Sequence, residues 1–70
     1  MKEIIKNSQE IIRIQNKEYK GSDFIDVRVF YEKDGEYLPT KKGISFNPKI
    51  AKDVIEGIMD SIEQDEMLAL

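Results

Sequence analysis

The sequence predicts an α+β fold in a single domain spanning residues 1–70: four short antiparallel strands followed by one C-terminal amphipathic helix. Three observations carry this expectation. Between Glu10 and Phe46 apolar and polar side chains alternate in short runs, the pattern of strands buried on one face. Asp34-Gly35 sits between two such runs and is a strong short-range hairpin signal. Asn47-Pro48 then opens a stretch of helical period that continues to about Met67.

From Glu10 to Lys17, Ile12 and Ile14 point one way while Arg13, Gln15 and Lys17 point the other, which predicts a first, half-buried strand. Tyr19-Lys20-Gly21-Ser22 reads as a turn or bend. A second strand starts near Asp23, with β-branched Ile25, Val27 and Val29 on one face and Phe24, Asp26, Arg28 and Phe30 on the other. After the Lys33–Glu36 hairpin come a short strand, Tyr37 to Thr40, the connection Lys41-Lys42, and a last strand, Gly43 to Phe46. Asn47 suits a helix cap, and Pro48 suits the first helical position, where its missing N–H would be unpaired anyway. On a helical wheel Ile50, Ala51, Val54, Ile55, Ile58, Met59 and Ile62 spread over about 180°, wider than the roughly 100° stripe that one core face needs. The extra width calls for a second partner. Gly57 and Ser61 lie beside Ile50 and Val54, where small side chains would let another helix approach; Gly57 can equally be a poor helix former that costs up to about 1 kcal/mol relative to Ala. Ile50, Val54, Gly57, Ile58, Ser61 and Ile62 are thus the expected dimer contacts. Residues 1–8 and 67–70 are expected to fray, the latter because acidic side chains are unfavourable near the negative end of a helix.

Seventy residues bury only roughly 60% of the surface of the unfolded chain, so the core is thin. Cysteine and histidine are both absent, which removes disulfides, zinc and iron–sulfur centres, thiol nucleophiles and the usual histidine base. Oligomerisation is the staple that remains. The balance is acidic, 11 basic against 14 acidic residues, but it is segregated: residues 50–70 hold Lys52 alone against six carboxylates. Exposed charges more than about 8 Å apart are largely screened at physiological salt, so a basic sheet can attract phosphate despite the net charge of −3. Met1 to Gln9 has neither the apolar core of a signal peptide nor a membrane span. The expected location is cytoplasmic: nucleoid-associated in a bacterium, host cytoplasm for a phage protein.

The face of the sheet away from the helix, with its loops, would carry Arg13, Lys17, Tyr19, Lys20, Arg28, Lys41 and Lys42, with Phe24, Phe30 and Tyr31 nearby. Single-stranded nucleic acid calls for such a mixture, since cations follow phosphates and rings stack on unpaired bases at about 1–3 kcal/mol each. Rival readings stand beside this one. Lys and Arg on exposed strands discourage edge-to-edge aggregation. Tyr19 and Tyr31 can simply cover the sheet edge, and Arg28 can pair with Asp26 or Glu32. The carboxylates Glu63, Asp65 and Glu66 lack the alternation and turn glycine of a calcium loop, and no catalytic constellation, metal site or cofactor motif is visible.

Tyr19-Lys20-Gly21, Ile25-Asp26-Val27-Arg28 and the run Lys41-Lys42-Gly43-Ile44-Ser45-Phe46-Asn47-Pro48 before an amphipathic helix together resemble the positive cofactor 4 family. The resemblance covers roughly Gln9 to Met67. It implies a curved four-stranded antiparallel sheet plus helix, a dimer with helices packed together, and binding of single-stranded or unwound DNA along the sheets by transcriptional coactivators and regulators. Carried over by residue, it assigns Lys17, Tyr19 and Lys20 to a first binding loop, Arg28 and Tyr31 to the second strand, and Lys41, Lys42 and Gly43 to the last contact segment. Ser22 and Leu38 stand where the human-type pattern has lysines, Glu10 stands where a basic residue is usual, and the hairpin at Asp34-Gly35 is one residue shorter, which implies lower affinity. The expected function is sequence-tolerant single-stranded DNA binding by a non-enzymatic homodimer in transcription, replication or repair, with RNA left open and transcription or replication proteins as further partners. The alternative is a protein-interaction module docking on a polymerase or regulator, its nucleic-acid binding weak or lost.

Overall fold

Two hairpins set the sheet, and each turns on two residues with left-handed backbone: Lys20 (φ 50°) with Gly21 (φ 80°), and Asp34 (φ 52°) with Gly35 (φ 81°). Positive φ at both central positions is the type I′ geometry whose twist matches that of paired strands. The computed structural model describes residues 1–68, with side chains to residue 64. The chain runs β1 (Lys2–Ile5), β2 (Glu10–Tyr19), β3 (Ser22–Lys33), β4 (Glu36–Phe46), a 3₁₀ turn (Pro48–Ile50) and α1 (Ala51–Leu68). The strands form one antiparallel sheet in sequence order.

Four strands and a helix match the expected architecture, but two of the strands are not those anticipated. Lys2–Ile5, within the stretch expected to fray, is an edge strand whose residues pair from Lys2 with Ile14 to Ile5 with Ile11. The loop that returns it is tied by Asn7, whose Oδ1 accepts from the backbone N–H of Gln9 (2.9 Å) and Glu10 (2.8 Å). Such an Asx turn replaces ladder bonds over a short reversal. The second correction is that Tyr37–Thr40 and Gly43–Phe46 belong to one strand, β4, interrupted by a bulge. Arg28 pairs with Gly43 and Phe30 with Pro39, leaving Thr40, Lys41 and Lys42 opposite Val29 alone. The polar Lys41-Lys42 therefore marks extra residues within a strand and not a connection between two. Fraying was also expected at 67–70; α1 extends through Leu68, and residues 69–70 lie outside the described ones.

Directly opposed residues of an antiparallel pair share a face. Ile12, Ile14, Ile25, Val27, Val29, Ile44 and Phe46 accordingly form one apolar face. Asn47 caps the turn that brings the helix over it, its side chain accepting from Lys49 N–H at 2.8 Å with Pro48 next in line. The helix covers only part of that face: Ile14, Ile25, Val27 and Phe46 line, with Ala51, Val54, Ile55 and Ile58, an apolar cleft of about 270 Å³. Ile44, Ile55, Ile58, Met59 and Ile62 remain about half exposed, and the buried apolar residues among the described ones, Ile11 and Phe30, pair on the opposite face. The Cα radius of gyration is 14.6 Å, whereas a compact chain of this length has about 11 Å. The exposed surface is 6078 Å², whereas a compact monomer of 8.2 kDa exposes roughly 4,500 Å². The single chain is an open two-layer structure with unfilled apolar surface.

Candidate nucleic-acid interface

Away from α1, the sheet presents Ile11, Arg13, Gln15, Lys17 and Tyr19 from β2, Phe24, Asp26, Arg28 and Phe30 from β3, and Gly43 and Ser45 from β4, joined by register. At its centre Arg28 donates from Nε to Asp26 Oδ2 (3.2 Å) and from Nη2 to Asp26 Oδ1 (3.0 Å). Its Nη1 donates to the Thr40 carbonyl (2.9 Å), and the Ser45 hydroxyl donates to Asp26 Oδ1 (2.7 Å). Asp26 is buried, and a buried carboxylate is tolerated only when its lone pairs are filled. The Arg28 hydrogen bonds, then that of Ser45, hold its carboxyl below the usual range, outweighing the upward push of burial. Asp26 in turn raises the Arg28 pKa. Of the two pairings open to Arg28 in sequence, the structure shows the one with Asp26.

Arg13 is held in a similar way. Its Nε and Nη2 both lie 2.7 Å from Glu3 Oε2 on β1, and its guanidinium sits 4.2 Å from the centroid of the Phe30 ring. Cation–π contact over a buried ring, together with the Glu3 ion pair, holds the guanidinium against the face. Toward the β2–β3 turn the face is less constrained: Lys17 pairs across to Phe24, Tyr19 is 66% exposed, and Lys20 places Nζ 5.4 Å from the Tyr19 ring. Among the described residues Lys17, Lys20, Lys41 and Lys42 form no ion pair.

Not all the expected residues share this face. Tyr31 stands opposite Glu10 and Leu38 and lies two residues beyond Val29 on the same face of β3, which puts it on the helix side. Lys42 lines a shallow surface with Ile12, Val29 and Ile44, and its charge is one of those, after the Asn7 hydrogen bond and Lys6, that hold the Glu10 carboxyl low. It too lies on the helix side. Two extra residues in the bulge preserve strand parity on either side, so the inward and outward sets of β4 stay in phase while the lysines are displaced. A Cβ on Gly43 would lie 2.8 Å from the Val27 carbonyl oxygen and 3.0 Å from Arg28 Cα and Cβ, so this glycine permits close strand approach beside the bulge. Ser45, Thr40 and Glu3 escaped the sequence reading. Only register places Ser45 across from Asp26 and Glu3 across from Arg13, and short-range patterns carry no trace of it.

Ile58 and Ile62 on α1 and Ile50 in the 3₁₀ turn before it are exposed by about half, while Val54 is half-buried against the sheet. The Ser61 hydroxyl donates to the Gly57 carbonyl at 2.9 Å, and a Cβ on Gly57 would meet nothing within 4 Å, so this strip is smooth and open. Among the described residues there is no group of three or more side chains suited to hold a metal ion, and no helix long and apolar enough to cross a membrane.

Comparison with known proteins gives a consistent set of relatives. The family model described as Transcriptional Coactivator p15 (PC4) matches residues 6–57. The RNA polymerase II transcriptional coactivator KELP of Arabidopsis thaliana is 48% identical over 33 residues, 47% of this chain and 20% of that protein. The coactivator KIWI of the same plant is 41% identical over 44 residues, 63% of this chain and 41% of its own length. The chain thus spans between a fifth and two fifths of these curated relatives. A PC4 homolog from Burkholderia pseudomallei, in its orthorhombic crystal form, superimposes with a TM-score of 0.82 at 32% identity over 87% of this chain and 84% of that one.

Proposed function

The chain belongs to the Transcriptional Coactivator p15 (PC4) family, and from that premise we propose that it binds single-stranded DNA with little sequence preference, as a homodimer in the cytoplasm, in support of transcription, replication or repair. The observation that carries the reading is the cation–aromatic face: exposed Lys17, Tyr19 and Lys20 continue a sheet surface bearing Phe24, Phe30 and the guanidinium groups of Arg13 and Arg28. Lysines supply phosphate contacts and rings supply stacking without base-edge readout, so affinity is sequence-tolerant. RNA shares that chemistry and is a competing ligand.

The dimer follows from area. The chain exposes about 1,500 Å² more than a compact monomer of its mass. Two copies covering that excess would bury about 3,000 Å² in total, within the range of obligate homodimers. The uncovered face is apolar, with Ile58 and Ile62 on the helix, Ile50 in the turn before it and Ile44 on the sheet.

Titration of labelled oligo(dT) at several salt concentrations tests the binding. Arg13 and Arg28 are already engaged with carboxylates, so about three to four free lysines per site set the slope, near −2 to −3 in log affinity against log salt at roughly −0.7 per phosphate. A salt-independent affinity refutes the phosphate contacts. No binding at low salt favours the docking-module alternative, for which Glu10, Ser22 and Leu38 at otherwise basic positions speak.

A further inference from the structure

We propose that Thr40 is the positioning residue of the β4 bulge, fixing how Lys41 and Lys42 are offered to the nucleic-acid backbone; the proposal rests on the single-stranded DNA reading above. Three residues opposite one partner strip the ladder of its regular bonds, and backbone groups so released need other partners. The Thr40 hydroxyl supplies them in both directions, donating to the Val29 carbonyl at 2.8 Å and accepting the Lys42 N–H at 3.1 Å. A hydroxyl is the smallest side-chain group that can do both. The Thr40 carbonyl meanwhile accepts from Arg28 Nη1 at 2.9 Å, which ties the bulge to the Asp26–Ser45 cluster.

This double anchorage defines the geometry of the two lysines. Gly43 resumes the register on the arginine face and Lys42 lines the helix side, so alternation back along the strand places Lys41 on the arginine side. The β4 edge therefore carries one cation toward each face, Lys42 tied to the Thr40 hydroxyl through its N–H and Lys41 spanning the one position between them. Without the hydroxyl the same residues would have to be ordered on binding, and that entropy would come out of the affinity. Valine keeps the shape of threonine and lacks the hydroxyl; serine keeps the hydroxyl.

The test is oligo(dT) affinity for wild type, Thr40→Val, Thr40→Ser and the pair Lys41→Ala with Lys42→Ala, alone and combined with Thr40→Val. Thr40→Val is expected to weaken binding by about five- to tenfold and Thr40→Ser by less than about twofold. If Thr40 acts through the lysines, Thr40→Val costs nothing further once both lysines are alanine. A full, additive loss in that background, or unchanged affinity of Thr40→Val, overturns the proposal while leaving DNA binding intact. A wild type that does not bind overturns the DNA reading and the proposal with it. Amide exchange of the unmodified protein gives a check free of any variant: the Lys42 N–H is expected to be protected, and exchange at the rate of an unstructured peptide overturns the bond on which the proposal depends.

Discussion

Lys20 occupies a left-handed backbone position that costs a lysine roughly 1 kcal/mol and that asparagine tolerates. Lys20→Asn is therefore expected to raise stability in urea unfolding by a few tenths to about 1 kcal/mol. The same change removes a phosphate contact, so binding to oligo(dT) should weaken and the salt slope should become shallower by about 0.7. Stability and affinity moving together would show that Lys20 makes no contact with DNA. Asp26 sets the other prediction at this scale. Its folded-state pKa is lowered, chiefly by Arg28, so its contribution to stability is fully present above the ordinary carboxylate value near 3.9 and is lost as pH falls through the lower folded value. The stability gap between wild type and Asp26→Asn should thus be widest near neutrality and narrow below about pH 4. A gap constant between pH 7 and pH 3 in denaturant unfolding would rule out the ionised Asp26–Arg28 pair as its source.

Among the elements, α1 and β4 are each only partly explained by their own residues. Ala51 and Val54 rest against the sheet, yet the apolar stripe continues around the helix to Met59 and Ile62, which the chain itself leaves exposed. Gly57 makes the consequence measurable. Within one protomer an added methyl meets nothing, so Gly57→Ala should raise the helix content and stabilise the helix by up to about 1 kcal/mol. Where a second helix crosses at Gly57 and Ser61, the same methyl pushes the two apart, and the dimer dissociation constant should rise. Dilution followed by light scattering separates these effects; tighter association in the variant would place the helix contact elsewhere. In β4 the hairpin at Asp34-Gly35 and the cap at Asn47 were legible from short-range chemistry. The bulge was not, because Thr40 bonds to Val29 eleven positions back along the chain and two adjacent lysines look like a loop when read alone.

For the whole molecule the testable quantity is mass. Two chains of 8.2 kDa should elute as a species of about 16 kDa, and Ile62→Asp, at a residue 49% exposed in the single chain, should shift the population toward monomer by placing a charge in the apolar seam. A wild type that stays monomeric at high concentration contradicts the dimer. Local sequence by itself determined the α+β class, the β2–β3 hairpin, the turns and the start of the helix, since alternation, Asp-Gly and Asn-Pro act over a few residues. It also placed Arg13, Lys17 and Arg28 on a face opposite Ile12, Ile14 and Val27. Tertiary structure alone decided that Lys2–Ile5 is a strand, that Lys42 and Tyr31 lie on the helix side, and that Arg13 and Arg28 are held by Glu3 and Asp26. Those outcomes depend on pairing register and on partners distant along the chain, and a periodicity of two residues fixes a side chain's face within its strand without saying which strand will lie beside it.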